Sequence, residues 1–440
     1  MSSKKYKTVR ENAVPTAGEI FNNDVIVEII RAEGRNGSLR LLTWNGRQAT
    51  AVDRVTVSDV TYVPLALNPT VGRALLLPSG AIVYGSTRQL FQELSRLVSR
   101  VTRLPESVAT QIIFFAFATW FADRLPVAPF LWITAPPTVS TGPLLQLLAL
   151  LCRSALMVTE PTAATLRSLP VWLRPTIVTE VSTMTSALLK ALRASNRRGT
   201  LAVAGDELLD IYCAKVVIST QTLRDPAIVG FPLEIVLPPS REYVPQLDSQ
   251  EVGRLASEFQ GKLLMYRLAN YAKVTAPSFD LSGFTAPTQE LAYVLGACIV
   301  GDRELQAQIV PLLKERDHEI QVDRSSLLEA IVIEALWAAC HDSTSGDLSV
   351  TELTKSVNTI LVGRGEPQEV SPETVGWKLR GLGLRTDFIT GGRKGLKLPN
   401  EIRAVIHTLA AAYGVRVFQQ KAAIEACSIC AASRTDRKTA

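Results

Sequence analysis

From Glu19 to Tyr84 the chain carries short β-rich apolar runs, Val25 to Ile30, Ser38 to Thr43, Val55 to Val63 and Ala74 to Tyr84. They are parted by the turn signals Asn36-Gly37, Asn45-Gly46 and Pro78-Ser79-Gly80. The pattern predicts a small β-rich domain over residues 1–85, preceded by a polar, basic arm containing Lys4, Lys5, Lys7 and Arg10. At Ser86 the period changes. Ser86 and Gln89 stand at capping-box spacing, and Leu90, Phe91, Leu94, Leu97 and Val98 recur as one helical face, so residues 86–129 are expected to form a helical connector that includes the Ile112 to Phe121 run.

Between residues 130 and 240 short apolar strands alternate with helices. The strands are expected at Phe130 to Thr134, Ala155 to Val158, Thr176 to Thr179, Lys215 to Ser219 and Leu233 to Leu237, with helices at Pro143 to Cys152, Thr162 to Leu169 and Thr183 to Ala194. Such alternation argues for an α/β parallel sheet. Residues 241–322 read as wholly helical, with Asp248 or Ser249 capping a helix that reaches Asn270. Residues 323–414 carry three helices (Arg324 to His341, Val350 to Leu361, Ser371 to Leu382), a Gly-rich hairpin from Leu384 to Leu398 and a last helix from Glu401 to Tyr413. Residues 415–440 form a polar tail that is expected to add little to stability.

Composition narrows the function classes. The 440 residues hold Lys+Arg 47 against Asp+Glu 41, a net +6, which permits nucleic-acid contact only if the charges gather on one surface. Six scattered cysteines exclude a secreted disulfide scaffold, and with no apolar leader at the N-terminus a cytoplasmic location is expected. The two greasiest runs, Ile112 to Ala122 and Leu144 to Val158, are too short or too interrupted to span a bilayer and read as buried helices, so no membrane contact is expected.

A strand ending at Thr134, a Pro-containing turn and a Leu-rich helix form the setting of a phosphate-binding loop. Ala135-Pro136-Pro137-Thr138-Val139-Ser140-Thr141-Gly142 resembles the Walker A frame of P-loop ATPases without its chemistry. Ala135 replaces the first glycine, Ser140-Thr141 replace the Gly-Lys pair, and Gly142 falls where the magnesium-binding hydroxyl belongs. Pro175 to Glu180 resembles a Walker B strand in which Thr179 replaces the magnesium-binding aspartate and Glu180 matches the water-polarising carboxylate. Val216 to Thr220 is similar to a sensor strand that would present Ser219 or Thr220, and Leu223-Arg224-Asp225-Pro226-Ala227-Ile228 to the segment before an arginine finger, with Gly230-Phe231 in the finger's place. In order and spacing these segments resemble the helicase-type ATPase module of phage and mobile-element primase-helicases. That resemblance implies a fold that no longer hydrolyses ATP, because phosphoryl transfer depends on the missing positioning and electrostatics. The plainer reading of the loop is an ordinary strand-to-helix connection, and of Glu180 a strand-end carboxylate paired with Lys190 or Arg193.

In the C-terminal part, Ser371 stands as N-cap before Pro372, and Val375, Leu379 and Leu382 make a core face. Three helices and a hairpin resemble a winged helix-turn-helix, and Val375 to Leu384 is similar to the recognition helices of phage primase-helicase C-terminal domains. Between Ser371 and Leu398, Lys378, Arg380, Arg385, Arg393, Lys394 and Lys397 stand against Glu373 and Asp387, six minus two or +4. The cations would contact phosphates of duplex DNA, with Thr374, Trp377 or Lys378 reaching base edges and Trp377 half-buried against the core.

Cys427-Ser428-Ile429-Cys430 is a single Cys-x-x-Cys, and a structural zinc site needs two more ligands. His407 is expected on one helix and Cys340-His341 on another, but no second pair has finger spacing, so the two thiols read as free and no metal is expected. The histidines form no nucleophile-base pattern.

The combined expectation is an α/β plus all-α protein. A P-loop-like parallel sheet would serve as scaffold or homo-oligomerisation platform between an N-terminal β-rich domain and a DNA-binding winged helix-turn-helix, with no cofactor. Two alternatives remain open. One is an active ATPase or helicase using ATP and magnesium with charges supplied by Lys190, Arg197 or Arg198, or by a neighbouring subunit. The other is a transcription regulator or protein-docking factor.

Overall fold

The structure is a computed structural model that describes residues 13–22, 25–32, 38–170, 173–204, 207–223, 231–240, 242–342, 346–366, 369–415 and 427. The basic arm, the Asn36-Gly37 turn, the segment 224–230 and Cys430 lie outside these residues. The chain forms two compact units, Met1–Leu313 and Lys314–Ala440, each taken here by itself. The division falls inside the helix Ile309–Ser325, whereas the sequence pattern puts a boundary at 322/323.

The first unit begins with two small sheets. One is an antiparallel meander of Gly18–Asn22, Val25–Arg31, Leu39–Trp44 and Ala49–Val52; in the other, Val60–Pro64 pairs with Val14–Thr16 and Val55–Val57. The Val55 to Val63 run is therefore a hairpin, turned by Ser58 and Asp59 at φ 48 and 65. The expected strand Ala74 to Tyr84 does not form. Pro69–Ala74 is a short helix capped by Asn68, and Leu75 and Leu77 beyond it are apolar because they pack, at 1% and 9% exposure, not because they join a ladder. Ser86 caps the helix Thr87–Thr102, although the Gln89 side chain turns to Glu93 instead of completing a capping box. The helix Glu106–Thr119 is buried all round from Ile112 onward, which explains its run of apolar residues. Among the described residues no helix is long and apolar enough to cross a membrane.

The central sheet has five parallel strands, Phe130–Thr134, Leu156–Thr159, Ile177–Glu180, Lys215–Ser219 and Leu233–Val236, here called first to fifth. Their order across the sheet is fifth, first, fourth, third, second. The first and fourth strands are interior and buried at every position, hence the continuous apolar runs. This is a mixed α/β architecture consistent with a P-loop-like core. The first strand lies between the fourth and fifth while the chain leaves it for the far edge, so a crevice opens at the carboxyl ends of the strands. A hairpin, Leu201–Ala204 with Glu207–Asp210, is inserted before the fourth strand.

A buried charge network ties the N-terminal meander to this core. Arg267, on the helix Ser249–Asn270, donates through Nε to Glu28 (2.6 Å) and through Nη1 and Nη2 to Asp123 (2.7 and 2.6 Å). Arg153 donates to the other oxygen of Glu28 at 2.8 Å.

In the second unit the helices Leu328–Asp342, Val350–Gly363, Pro372–Gly381 and Asn400–Ala412 surround a core that includes Val332, Leu336, Val357, Val375, Leu379 and Ile406. Lys394–Lys397 pairs antiparallel with Asp387–Phe388 and, on its other side, with Asp347–Ser349, a strand too short to show in the hydrophobic pattern. Ser349 and Glu352 form a reciprocal capping box at the start of the second helix, and Ser371 accepts from the Thr374 amide at the start of the third.

Candidate functional site

The carboxyl ends of the first, third and fourth strands converge on a cavity of about 240 Å³. Its lining includes Ala135, Pro136, Thr141, Glu180, Ser219 and Thr220. The loop, the third-strand carboxylate and the fourth-strand hydroxyls named from the sequence are thus brought together. Thr141 Oγ1 donates to Glu180 Oε1 at 2.8 Å, so the loop's hydroxyl and the acidic side chain satisfy each other. Ser140, Gly142 and Thr179 are not part of the lining, and Thr179 is buried. The space over Gly142 is filled by the Gln246 side chain, close to where a Cβ would stand. Pro143 occupies the first turn of the following helix and removes one of the amide donors that a phosphate site uses.

Glu180 is the one charged residue in the lining among the described residues. The cations considered as substitutes are engaged elsewhere or exposed. Arg197 pairs with Glu290 at 3.2 Å, Arg198 donates to the Ala122 carbonyl and lies over Tyr212, and Lys190 is exposed on the helix Ser186–Ala194. Lys215 is buried at the opposite end of the fourth strand, across from Phe130, about 13 Å along the strand from Ser219. Its ammonium contacts Asn196 Oδ1 and the Phe130 ring, and burial pulls its pKa down to about 8.

The cationic candidates of the second unit divide into two groups. Lys378 is held by Glu329 at 2.7 Å, and Arg393 by Glu352 at 3.2 Å. Arg380, Arg385, Lys394 and Lys397 are exposed, with no ion-pair partner among the described residues. Trp377, expected to be half-buried, is 68% exposed because Val375 and Leu379 take the core face, and Arg380 lies over its ring at 5.0 Å. Thr374 is half-buried, with its hydroxyl 3.2 Å from that of Ser371. Phe388, at 73% exposure on the hairpin, adds a second open aromatic that charge counting had passed over.

Cys427 is a free thiol that lies beside two histidines. Its Sγ lies 3.6 Å from His407 Nε2, which is itself 3.3 Å from His341 Nε2. The two histidines are 66 residues apart, and no local spacing announces the contact.

No protein-family model and no curated protein matches the chain. Among solved structures, the apo A form of the NrS-1 C-terminal region is 10% identical, with 84% of this chain and 96% of that one covered and a TM-score of 0.36. The Drosophila ORC bound to DNA is 12% identical over 76% and 92% of the two chains, with a TM-score of 0.19. The Aeropyrum pernix ORC1 protein in complex with DNA is 12% identical over 74% and 92%, with a TM-score of 0.18.

Proposed function

We propose that this protein binds duplex DNA through a winged helix-turn-helix in its second unit, and that its P-loop-like core is a scaffold related to primase-helicase ATPases that does not hydrolyse ATP. The DNA-binding part is carried by one observation. The helix Pro372–Gly381 turns Trp377 and Arg380 to solvent, while Arg385, Lys394 and Lys397 are exposed on the segment that follows, which would be the wing. Exposed arginines and lysines neutralise phosphates, and an open indole capped by a guanidinium offers a stacking and base-edge contact on a helix of the kind that enters a major groove. The scaffold part is supported by the Thr141–Glu180 pair and a cavity lining without lysine or arginine. A polyphosphate would meet a carboxylate there and no counter-charge among the described residues.

The test is a fluorescence-anisotropy titration of the full chain with a labelled duplex over a range of salt. Four unpaired cations predict a slope of log K against log salt near −3.6, at roughly −0.9 per phosphate contact. Replacing both Lys394 and Lys397 by Ala is expected to weaken all sequences alike and reduce the slope by about 1.8. Trp377→Ala is expected to alter sequence preference with the fold intact. Absent or salt-insensitive binding at low salt would refute the proposal and favour a protein-docking role.

A further inference from the structure

The cluster of His341, His407 and Cys427 lies within the second unit and is independent of the DNA-binding reading. His341 is at the end of the helix Leu328–Asp342 and His407 is on the helix Asn400–Ala412. Each ring is oriented by its own helix: His341 Nδ1 stands 2.7 Å from the Trp337 carbonyl and His407 Nδ1 2.6 Å from the Arg403 carbonyl. A carbonyl only accepts, so each Nδ1 carries a proton and donates it. In the neutral rings each Nε2 is then unprotonated, and those two atoms lie 3.3 Å apart. No hydrogen is available to lie between them. Trp337 packs on the His341 ring, with centroids 4.0 Å apart, and keeps it in place.

Two unprotonated ring nitrogens 3.3 Å apart, with a thiol 3.6 Å from one of them, are what a cation would bridge. We propose that His341 Nε2, His407 Nε2 and Cys427 Sγ bind a structural zinc ion. Their three ligand atoms lie within 4.8 Å of one another. With Zn–N near 2.05 Å and Zn–S near 2.3 Å, tetrahedral geometry requires N···N of about 3.3 Å and N···S of about 3.6 Å. The observed N···N separation is 3.3 Å and that from His407 Nε2 to Cys427 Sγ is 3.6 Å, with His341 Nε2 and Cys427 Sγ within 4.8 Å of each other. The backbone carbonyls on both Nδ1 atoms are the outer partners that fix the tautomer of a zinc-bound histidine. Imidazole with thiolate is a donor set that suits zinc and not magnesium or calcium.

Full-length protein, purified without a metal-affinity step, should contain about one zinc per chain by elemental analysis. The chelator-stripped protein should take up one equivalent of Co²⁺ and show the intense visible bands of a tetrahedral site together with a thiolate-to-cobalt charge-transfer band in the near ultraviolet. Cys427→Ser should abolish the charge-transfer band. It should also lower zinc affinity by more than the roughly 10- to 100-fold that loss of an outer-shell partner costs. Truncation after Gly414 should likewise abolish stoichiometric zinc. The wild-type measurements do not depend on whether any variant folds. Stripped wild-type protein that retains no zinc after addition of one equivalent and desalting, or a cobalt derivative without the charge-transfer band, would overturn the proposal.

Discussion

Replacing Arg267 by Met tests what holds the N-terminal meander to the α/β core. The Arg267 side chain is 1% exposed, Glu28 and Asp123 are each 7%, and Arg153 is 11%. Two guanidiniums and two carboxylates balance to zero, so the network is tolerable away from bulk water only while it is complete. Methionine keeps the length and apolar stem of the side chain but strands Asp123 and leaves Glu28 with Arg153 alone. Removing one partner of a buried pair costs about 3–5 kcal/mol, most of it the penalty of the charge left behind. Arg40 and Asp53 provide the control: they pair at 2.7 Å with side chains 35% and 83% exposed, where a pair contributes about 0–1 kcal/mol. Amide hydrogen exchange in the strand Val25–Arg31 reads the difference locally. At about 1.4 kcal/mol per decade, Arg267→Met should cut protection by roughly 140- to 3,700-fold, and Arg40→Met by no more than about fivefold. Equal losses in the two variants would refute the argument. The network also sets an acid limb of stability. Burial alone would raise the Asp123 carboxyl, but Arg267, joined by Arg153 and Arg174, outweighs it and holds the group at about 2 against an ordinary 3.8. Glu28 is lowered in the same way against its own burial, by Arg153 and then Arg267. A folded pKa below the unfolded one means stability that is complete above about pH 4 and is lost as pH falls towards 2, about 2 kcal/mol for Asp123. Arg267→Met should flatten that limb.

Two further outcomes are expected. Purified protein should release no phosphate from ATP above background, with or without DNA; turnover that Glu180→Gln abolishes would sink the scaffold reading. Lys215, buried with its pKa pulled down to about 8, binds its proton less well folded than unfolded, so stability should rise as pH climbs from about 8 to 10. Lys215→Met should remove that rise and leave the melting temperature at pH 7 unchanged or higher, and a variant that keeps the rise would show that another group causes it.

Local features of the chain were legible because their causes are local. The caps at Ser86, Asp248 and Ser371 hydrogen-bond amides within three residues of themselves, and the continuous apolar runs at 130–133 and 216–218 follow from strands buried on both faces. The missing lysine of the loop and the excess of cations after Ser371 are equally plain in the sequence. The same pattern misleads where apolar residues serve packing without pairing, as at Leu75 and Leu77, or where a strand is only three residues long, as at Asp347–Ser349. Tertiary structure alone decided which partners meet. Thr141 closes on Glu180 because parallel strands bring their carboxyl ends together, and Lys378 leaves the cationic set because a helix 49 residues earlier presents Glu329 to it. His341 and His407 meet because the helices Leu328–Asp342 and Asn400–Ala412 share one core, to which Val332 and Ile406 belong, and not because of any spacing between the two residues. Periodicity records which face of an element is buried; it holds no information about which distant element buries it, and both sites depend on that choice.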